Sequence, residues 1–184
     1  MDIKEAISVI ESELENPTAG LPQDVFFFMT RITPLVNVDL LIKDNRGRVL
    51  LAWRDDEFAG SGWHIPGGIL RYKETLENRV KEVALQEIGR EIRFDTAPIA
   101  MNQLWKKSKT RGHFISMLYE CFTDDEAEPE NKGLVEGNRG FLKWHESCPD
   151  DLIEVHQKIY KDLIAGKPTT PLTNAIPFDY FPGL

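Results

Sequence analysis

Two glutamates and a pair of glycines stand out in the sequence by their types and spacing. Gly67 and Gly68 can bring the backbone close to a ligand, because glycine has no Cβ to obstruct the approach. Glu74 and Glu87 follow the glycines, and their carboxylates are strong hydrogen-bond acceptors. This combination indicates that the glycine turn and the helix after it carry the chemistry.

The stretch from 62 to 92 must position these groups, and it has the pattern of a strand, a turn and a helix. Residues 63–65 form a short apolar run, and residues 75–88 are long enough for about four helical turns. Thr75 is a plausible N-cap and Gly89 a plausible stop. The apolar positions recur at helical steps and should form the buried stripe: Leu76, Val80, Val83, Ala84 and Ile88. An ordinary surface helix would look similar, so the spacing of the polar residues decides.

That spacing resembles the Nudix box, Gly-x5-Glu-x7-Arg-Glu-U-x-Glu-Glu-x-Gly-U, in which U is aliphatic. Four of its fixed positions are present as Gly68, Glu74, Glu87 and Gly89. Membership of the Nudix family implies an α+β class fold, an α/β/α sandwich with a mixed β-sheet between helices. It also implies that glutamates of the box hold Mg²⁺ or Mn²⁺ against a diphosphate.

The box is incomplete in this chain. The arginine position holds Glu82, the next glutamate is Val83, the first of the glutamate pair is Gln86, and the closing aliphatic is Arg90. Nudix pyrophosphohydrolases use several carboxylates to bind metals and activate water at phosphorus. Only Glu87 remains of that set, so the resemblance disfavours attack at phosphorus.

Residues 31–144 are also similar to a divergent Nudix group, the GDP-mannose mannosyl hydrolases. The similar segments are Thr33–Val36 leading to Asp39, Arg46-Gly47, Leu50-Leu51, Arg54, Trp63, Pro66–Gly68 and Glu74–Glu77. The resemblance implies attack by water at the anomeric carbon of a nucleoside diphosphate sugar, releasing sugar and nucleoside diphosphate. It also implies a homodimer and one metal ion held by Glu87 and the Gly67 carbonyl.

Two residues on the predicted strands are substrate-binding candidates. Asp39 lies in an apolar strand, where a carboxylate is costly unless it is paired. It is either a salt-bridge partner within the sheet or, as the resemblance implies, close to the sugar. Arg54 aligns with an arginine that contacts the diphosphate in the resembled group, and a guanidinium donates two parallel hydrogen bonds to phosphate. The alternative is that Arg54 only neutralises the neighbouring acidic residues.

The general base is the weakest part of the resemblance. The resembled hydrolases carry a Gln-His pair in the loop before the last strand, and here those positions are Asn138 and Arg139. Asn138 could replace the glutamine as a metal ligand, whereas Arg139 stays protonated and could only bind substrate. Glu136 is the substitute base that we predict, and Arg71 a further substrate-binding residue.

Composition limits the classes of function. The chain has 184 residues, so one domain over 1–184 is expected. A net charge of −8 argues against sequence-independent binding to nucleic acid. There is neither a run of about 20 apolar residues nor a signal-peptide pattern, so we expect a cytoplasmic protein that does not contact membranes. The two cysteines should be free thiols.

The remaining segments surround a Nudix core at 31–166. A helical extension at 1–30 contains an amphipathic helix at 2–15 and three phenylalanines, 26–28, that pack on the core or in a dimer interface. Strands are predicted at 35–42, 49–54, 99–105, 113–122 and 141–144, a mobile loop at 55–62, an acidic solvated loop at 124–131, and a closing helix at 150–165. A tail at 167–184, rich in proline and aromatic residues, should drape over the domain or a partner subunit.

One loop has more than one interpretation. Residues 106–111 contain four cations in an acidic chain, and they form either a solvated hairpin tip or a basic rim that attracts a nucleoside diphosphate. The resulting hypothesis is a Mg²⁺- or Mn²⁺-dependent Nudix hydrolase acting on a nucleoside diphosphate sugar. The alternatives are a Nudix-like nucleotide-binding or regulatory protein with little turnover, and a pyrophosphohydrolase of another nucleoside diphosphate compound.

Overall fold

A mixed nine-stranded β-sheet lies at the centre of the molecule, in a computed structural model that describes residues 1–123, 128–167 and 176–177. The helices are α1 (Ile3–Ser12), α2 (Gln23–Met29), α3 (Leu76–Val83), α4 (Glu154–Ile159) and α5 (Lys161–Ile164). The strands are β1 (Leu35–Lys43), β2 (Val49–Asp56), β3 (Gly60–His64), β4 (Gly67–Ile69), β5 (Arg93–Phe94), β6 (Ala100–Trp105), β7 (His113–Phe122), β8 (Leu142–His145) and β9 (Ile176–Pro177).

The sheet is mixed because β1 and β7 run parallel, whereas most other pairs are antiparallel. The main strand order is β3-β2-β1-β7-β6-β9, with β4 paired to β1, β5 to β7 and β8 to β2. The β1–β7 register extends from Leu35 opposite Phe114 to Lys43 opposite Phe122. β1 also pairs antiparallel with β4, the short strand that contains the glycine turn.

Helices cover both faces of the sheet. Successive side chains of a strand point to opposite faces, and in β1 Leu40 and Ile42 pack on one side while Leu41 packs on the other. The first side is closed by Val80 and Val83 of α3. The second is closed by residues in and around α4 and α5, including Leu152, Tyr160 and Ile164. The predicted α/β/α sandwich is confirmed.

The helix after the glycine turn changes geometry in the middle. Thr75 caps α3 by accepting a hydrogen bond from Asn78 N–H at 3.2 Å, as predicted. A single π-helical turn, Ala84–Ile88, follows α3, and Gly89 ends it with a left-handed φ of 76°. The prediction of a continuous α-helix was wrong here, and such turns are often found at functional sites. The wider turn changes the direction in which Glu87 projects.

Two further predictions are corrected by the structure, and one strand was missed. Residues 55–62 form a β-hairpin between β2 and β3, because the Asp56 carboxylate accepts the N–H groups of Phe58 and Ala59, each at 2.9 Å. The closing helix starts at Glu154 and divides into α4 and α5 at Tyr160. The short strand β5 was not predicted at all.

The N-terminal helix is present but it buries no residue in this chain. Ile3 and Ile7, on its predicted apolar stripe, are 79% and 49% exposed. The three phenylalanines belong to α2, where Phe27 contacts Phe58 of the β2–β3 hairpin with ring centroids 6.0 Å apart. The phenylalanines therefore pack against the hairpin rather than in the core clusters, and the dimer interface stays a prediction.

Both cysteines are free, as predicted. Within the described ranges no helix has the length and apolar character needed to cross a bilayer. Most of the tail at 167–184 and residues 124–127 of the acidic loop lie outside the described residues. Of the tail, residues 176–177 form β9, which runs parallel to β6.

Candidate active site

A cavity of about 1530 Å³ lies beside the glycine turn and contains most of the candidate residues. Counted over its described lining, nine lysines and arginines face five aspartates and glutamates. The cavity is therefore basic although the whole chain carries a net charge of −8. A basic pocket of this kind concentrates anionic ligands despite the repulsive overall charge.

The glycine turn is built so that the backbone approaches the sheet and α3 closely. A Cβ at Gly67 would collide with the Asp39 carboxylate and would lie 2.8 Å from the Val38 carbonyl oxygen. A Cβ at Gly68 would lie 2.7 Å from a methyl group of Val83. Only glycine fits at these two positions without displacing backbone or core atoms.

Glu87 is the box carboxylate that faces this turn. It lines the cavity, and the backbone N–H of Gly67 donates a hydrogen bond to it. Burial raises the pKa of Glu87 to about 7, although the Gly67 hydrogen bond and the positive charge of Arg54 act in the opposite direction. A carboxylate held at this pKa favours a bound cation, because the cation removes the cost of the buried charge.

Glu74 is structural in this arrangement. Its carboxylate lies 3.2 Å from a terminal nitrogen of the Arg79 guanidinium, and both side chains are largely buried. Arg79 also donates to the Ile69 carbonyl at 3.3 Å, so it ties the end of the glycine turn to α3. Glu82, at the position where the complete box has an arginine, is exposed and takes no part in this ion pair.

Asp39 is buried, and three neutral side chains donate hydrogen bonds to its carboxylate. Its carboxylate accepts hydrogen bonds from Asn37 at 2.6 Å, from the Tyr160 hydroxyl at 2.5 Å and from the Ser116 hydroxyl. Burial raises the pKa of Asp39, while these three donors lower it. The predicted salt bridge is wrong within the described residues, since no cation is paired with Asp39. The break between α4 and α5 brings Tyr160 to this position.

Arg54 and Arg139 supply positive charge near Glu87. Arg54 pairs with Asp56 through Nε and Oδ2 at 2.6 Å, and its side chain is 24% exposed. Both arginines line the cavity, and both lower the pKa of Glu87. Neutralisation of a neighbouring acid by Arg54 is therefore observed, and it leaves the terminal guanidinium nitrogens available to a ligand.

His64 also lines the cavity, and it was not identified from the sequence. Its Nδ1 lies 2.8 Å from the Ile65 carbonyl oxygen, so Nδ1 carries the proton and Nε2 is left as an acceptor. Burial and then Arg54 lower the pKa of His64 to about 4. His156, which also lines the cavity, accepts the Ile65 N–H at its own Nδ1, 3.0 Å away, and so holds the residue after β3.

Three predicted site residues lie elsewhere. Glu136 is exposed and forms an ion pair with Lys143 at 2.9 Å, so it does not face the cavity. The Asn138 side-chain oxygen accepts the N–H of Val135 at 3.1 Å, which closes an exposed turn. Arg71 is absent from the cavity lining. The predicted roles of these residues as base, metal ligand and substrate ligand therefore have no support in their positions.

The basic loop at 106–111 belongs to the cavity. Lys106, Lys107 and Arg111 all line it, whereas Lys109 is exposed outside it. The Lys106 Nζ donates to the Phe58 carbonyl at 2.9 Å, so the loop is held against the β2–β3 hairpin. Three of the four cations therefore lie at the cavity, as the basic-rim alternative requires, and attraction of a nucleoside diphosphate stays a prediction.

The alternation of side-chain directions along a strand could have identified His64 from the sequence. Trp63 and Ile65 are both apolar and both pack in the same hydrophobic cluster, so the residue between them must face the other side of the strand. For Arg79, Ser116 and Tyr160 the sequence held no comparable signal. Their contacts join residues from different elements, and these depend on how the sheet and helices pack.

The described residues contain no group of three or more His, Cys, Asp or Glu side chains placed to hold a metal ion. Of the two glutamates kept from the Nudix box, only Glu87 lines the cavity, with the backbone of Gly67 beside it. Mg²⁺ is commonly bound by one or two carboxylates together with substrate phosphates and water. The donor set fits a divalent ion only in combination with oxygens from a ligand.

Comparisons with known proteins agree with this architecture. The NUDIX domain model matches residues 33–163. The low-salt glycan biosynthesis protein Agl8 of Haloferax volcanii is 29% identical over 119 residues, which are 62% of this chain and 76% of that protein.

Two solved structures share the fold at low sequence identity. A protein of Jonesia denitrificans, described as a possible asymmetric diadenosine tetraphosphate hydrolase, has a TM-score of 0.56 at 20% identity, over 76% of this chain and 99% of its own. A NUDIX hydrolase of Nitrosomonas europaea has a TM-score of 0.55 at 20% identity, over 79% of this chain and 80% of its own.

The family model covers more than two thirds of the chain, and the glycine turn, the Glu74 loop and the Glu87 turn occupy the positions that the box requires. The chain belongs to the Nudix hydrolase family.

Proposed function

We propose that this Nudix protein is a divalent-metal-dependent hydrolase of a nucleoside diphosphate sugar, of the GDP-mannose type. The observation that carries the proposal is the basic cavity in an acidic chain, with Glu87 set against the glycine turn. Such a cavity suits a ligand with several negative charges and a bound cation. The relative Agl8 is named for glycan biosynthesis, a process that uses activated sugars, and this supports the sugar part of the proposal.

The metal would be held by Glu87, with the Gly67 carbonyl as a second donor and the diphosphate completing the coordination. A divalent ion in this place stabilises the negative charge of a departing diphosphate. Arg54 and Arg139 would bind the same diphosphate through their guanidinium groups, which suit phosphate geometry. Mg²⁺ and Mn²⁺ are both compatible with these oxygen donors.

Hydrolysis at the anomeric carbon follows from what the box lacks. Val83 is buried in the core and Gln86 is neutral, so the carboxylates that other Nudix hydrolases use at phosphorus are missing. In the proposed reaction the oxygen of water bonds to the anomeric carbon while the bond from that carbon to the diphosphate oxygen breaks. The electron pair leaves with the nucleoside diphosphate, and the sugar departs with a new hydroxyl group.

His64 is the residue that we assign to the proton released by water. Its Nδ1 is held by the Ile65 carbonyl, so Nε2 can accept a proton within the cavity. Its low pKa reflects burial and the charges of Arg54 and Arg139. A bound diphosphate would offset those two charges and make the imidazole more basic.

Aromatic side chains on the cavity wall suit the nucleobase. Trp105 and Phe114 both line the cavity, and base stacking on such rings contributes about 1–3 kcal/mol per base. Stacking tolerates any base, so this wall supports a nucleotide ligand without selecting guanine. The proposed homodimer and cytoplasmic location rest on the family resemblance and the absence of targeting patterns respectively.

A panel of nucleoside diphosphate sugars, assayed with Mg²⁺ or Mn²⁺ by chromatography, tests this proposal. We expect the wild type to release free sugar and nucleoside diphosphate from at least one member, and Glu87→Gln to lose that activity. Glu82→Gln, an equal change on the exposed side of the same helix, should keep it. Release of nucleoside monophosphate and sugar phosphate would contradict the carbon route.

A second candidate is favoured by the single carboxylate at the metal site. A Nudix protein that binds a nucleotide without turning it over needs no general base and no further metal ligand. In that case the same panel would raise the melting temperature without forming any product. Turnover of any panel member at ordinary enzyme rates would exclude it.

A further inference from the structure

The hairpin between β6 and β7 adds a second cationic group to the cavity. Lys106 ends this hairpin on one side and Arg111 on the other, with Lys106 N–H bonded to the Gly112 carbonyl at 2.8 Å. The Arg111 guanidinium lies over the Phe58 ring, 4.6 Å from its centroid. Phe58, Lys106 and Arg111 are called the hairpin subsite below.

The hairpin subsite is held in a defined conformation. Arg111 has a left-handed φ of 53°, which is unfavourable for a residue with a side chain. Its backbone N–H donates to the Thr30 hydroxyl at 3.1 Å, which links the hairpin to the end of α2. Ser108 donates to the Thr110 carbonyl at 2.6 Å and orders the tip. Hydrogen bonds of the hairpin backbone and tip therefore fix the positions from which Lys106 and Arg111 extend.

The two cations lack a carboxylate partner in the described part of the chain. Lys106 Nζ donates to a neutral carbonyl, and the buried Nε of Arg111 has no hydrogen-bond partner. The nearest acid that acts on them, Asp56, is already bonded to Arg54 at 2.6 Å. Two partly buried positive charges without a counterion are costly, and an anionic ligand removes that cost.

This cationic group is distinct from the one around Glu87. The pKa of Lys106 is lowered by burial and then by Arg111 and Arg54, and the pKa of Arg111 by burial and then by Arg54. Glu87 responds instead to Arg54 and Arg139. Arg54 is therefore the charge that acts on both groups, and Lys106 and Arg111 line the same cavity as Glu87.

We propose that the hairpin subsite binds a third anionic group of the substrate, in addition to the diphosphate held near Glu87. The inference rests on the proposed function for the assignment of the diphosphate. The third group is either a further phosphate or a carboxylate, so the substrate class is a nucleoside diphosphate sugar that carries one additional anionic group. Lys106 and Arg111 are the residues that select it.

Calorimetric titration tests this without relying on turnover. With Mg²⁺ present, wild type should bind tripolyphosphate about tenfold more tightly than pyrophosphate, as one additional charge-assisted contact provides. Arg111→Gln and Lys106→Gln should each reduce this preference to below about threefold and leave the pyrophosphate affinity unchanged. Lys109→Gln, which removes an exposed cation of the same hairpin, should keep the full preference. Thermal melts confirm that the variants fold.

A second pair of ligands identifies the source of the third charge. UDP-glucuronate bound more tightly than UDP-glucose, with the difference lost in Arg111→Gln, would identify a sugar carboxylate. A preference for GTP over GDP, lost in the same variant, would identify a phosphate. Equal affinities throughout, or a loss in Arg111→Gln that is the same for pyrophosphate and tripolyphosphate, would overturn the proposal. The hydrolysis assay stands apart, because absent turnover refutes the proposed reaction and leaves these binding results unchanged.

Discussion

Replacing Glu87 by glutamine should stabilise the metal-free protein at high pH and have little effect at low pH. In the folded protein burial keeps the proton on Glu87 up to a pH of about 7, whereas the ordinary pKa is 4.5. Between these values the unfolded chain loses the proton first, so ionisation favours unfolding and stability falls as the pH rises. Above pH 7 the folded protein bears the full cost of burying the ionised Glu87 carboxylate. Glutamine is uncharged, so the variant does not bear this cost.

The size of the effect follows from the pKa shift. A rise from 4.5 to about 7 corresponds to roughly 3 kcal/mol, at about 1.4 kcal/mol per pKa unit. Because the carboxylate is partly exposed to the cavity, we expect the stability difference to grow by about 1–2 kcal/mol between pH 5 and pH 8. The glutamine carbonyl can still accept the Gly67 N–H, so that hydrogen bond is kept.

Urea unfolding in the presence of a chelator measures this difference at several pH values. The control is Glu82→Gln, since Glu82 is exposed on the same helix and its neutralisation should change stability by less than about 0.5 kcal/mol at every pH. A Glu87→Gln difference that is constant with pH would show that the carboxylate is not held protonated. A variant that becomes less stable than wild type at pH 8 would refute the reasoning outright.

Three other substitutions test separate parts of the site. Arg79→Met should destabilise the protein by about 3 kcal/mol in urea unfolding, because it leaves a buried carboxylate unpaired, while Lys81→Met should cost less than about 0.5 kcal/mol since its ion pair is exposed. Tyr160→Phe should cost about 1–2 kcal/mol through the lost hydrogen bond to a buried carboxylate, against almost nothing for the exposed Tyr72→Phe, and equal costs would argue against that hydrogen bond. His64→Gln should lower kcat at least about 100-fold with KM nearly unchanged, and a rise in KM alone would assign it to binding instead.

The sequence predicted those parts of the fold that depend on local pattern. The strands β1, β2, β6, β7 and β8 were placed within about two residues, since alternation and turn residues mark their ends. The cap at Thr75 and the stop at Gly89 were also correct, because both depend on the residue's own backbone preference.

Other features depend on packing that no local pattern records. Residues 84–88 have the apolar periodicity of an α-helix, so the sequence pattern gives no sign of the π turn that the structure contains. Tyr160 interrupts the closing helix at a residue with ordinary helical propensity, where its hydroxyl donates to Asp39 on the face of the sheet that α4 and α5 cover. The π turn contains Glu87, and Tyr160 holds Asp39, so both departures affect residues that line the cavity, where sequence rules are most often set aside for function.

The resemblance was least informative in the loop before β8, where it placed the predicted general base. Alignment on the loop before β8 transferred a catalytic position to residues that the structure uses to close a turn and to pair with Lys143. A histidine from a different element, His64 at the end of β3, faces the cavity instead. The resemblance thus identified the glycine turn and Glu87 at the cavity, but the roles that it gave to Glu136 and Asn138 are not supported by their positions.

Hydrolysis in water labelled with ¹⁸O, followed by mass spectrometry of both products, tests the central claim most directly. With a nucleoside diphosphate sugar that is turned over, the account predicts one ¹⁸O atom in the released sugar, none in the nucleoside diphosphate, and no product from Glu87→Gln. Label in a phosphate group would show attack at phosphorus and contradict the account.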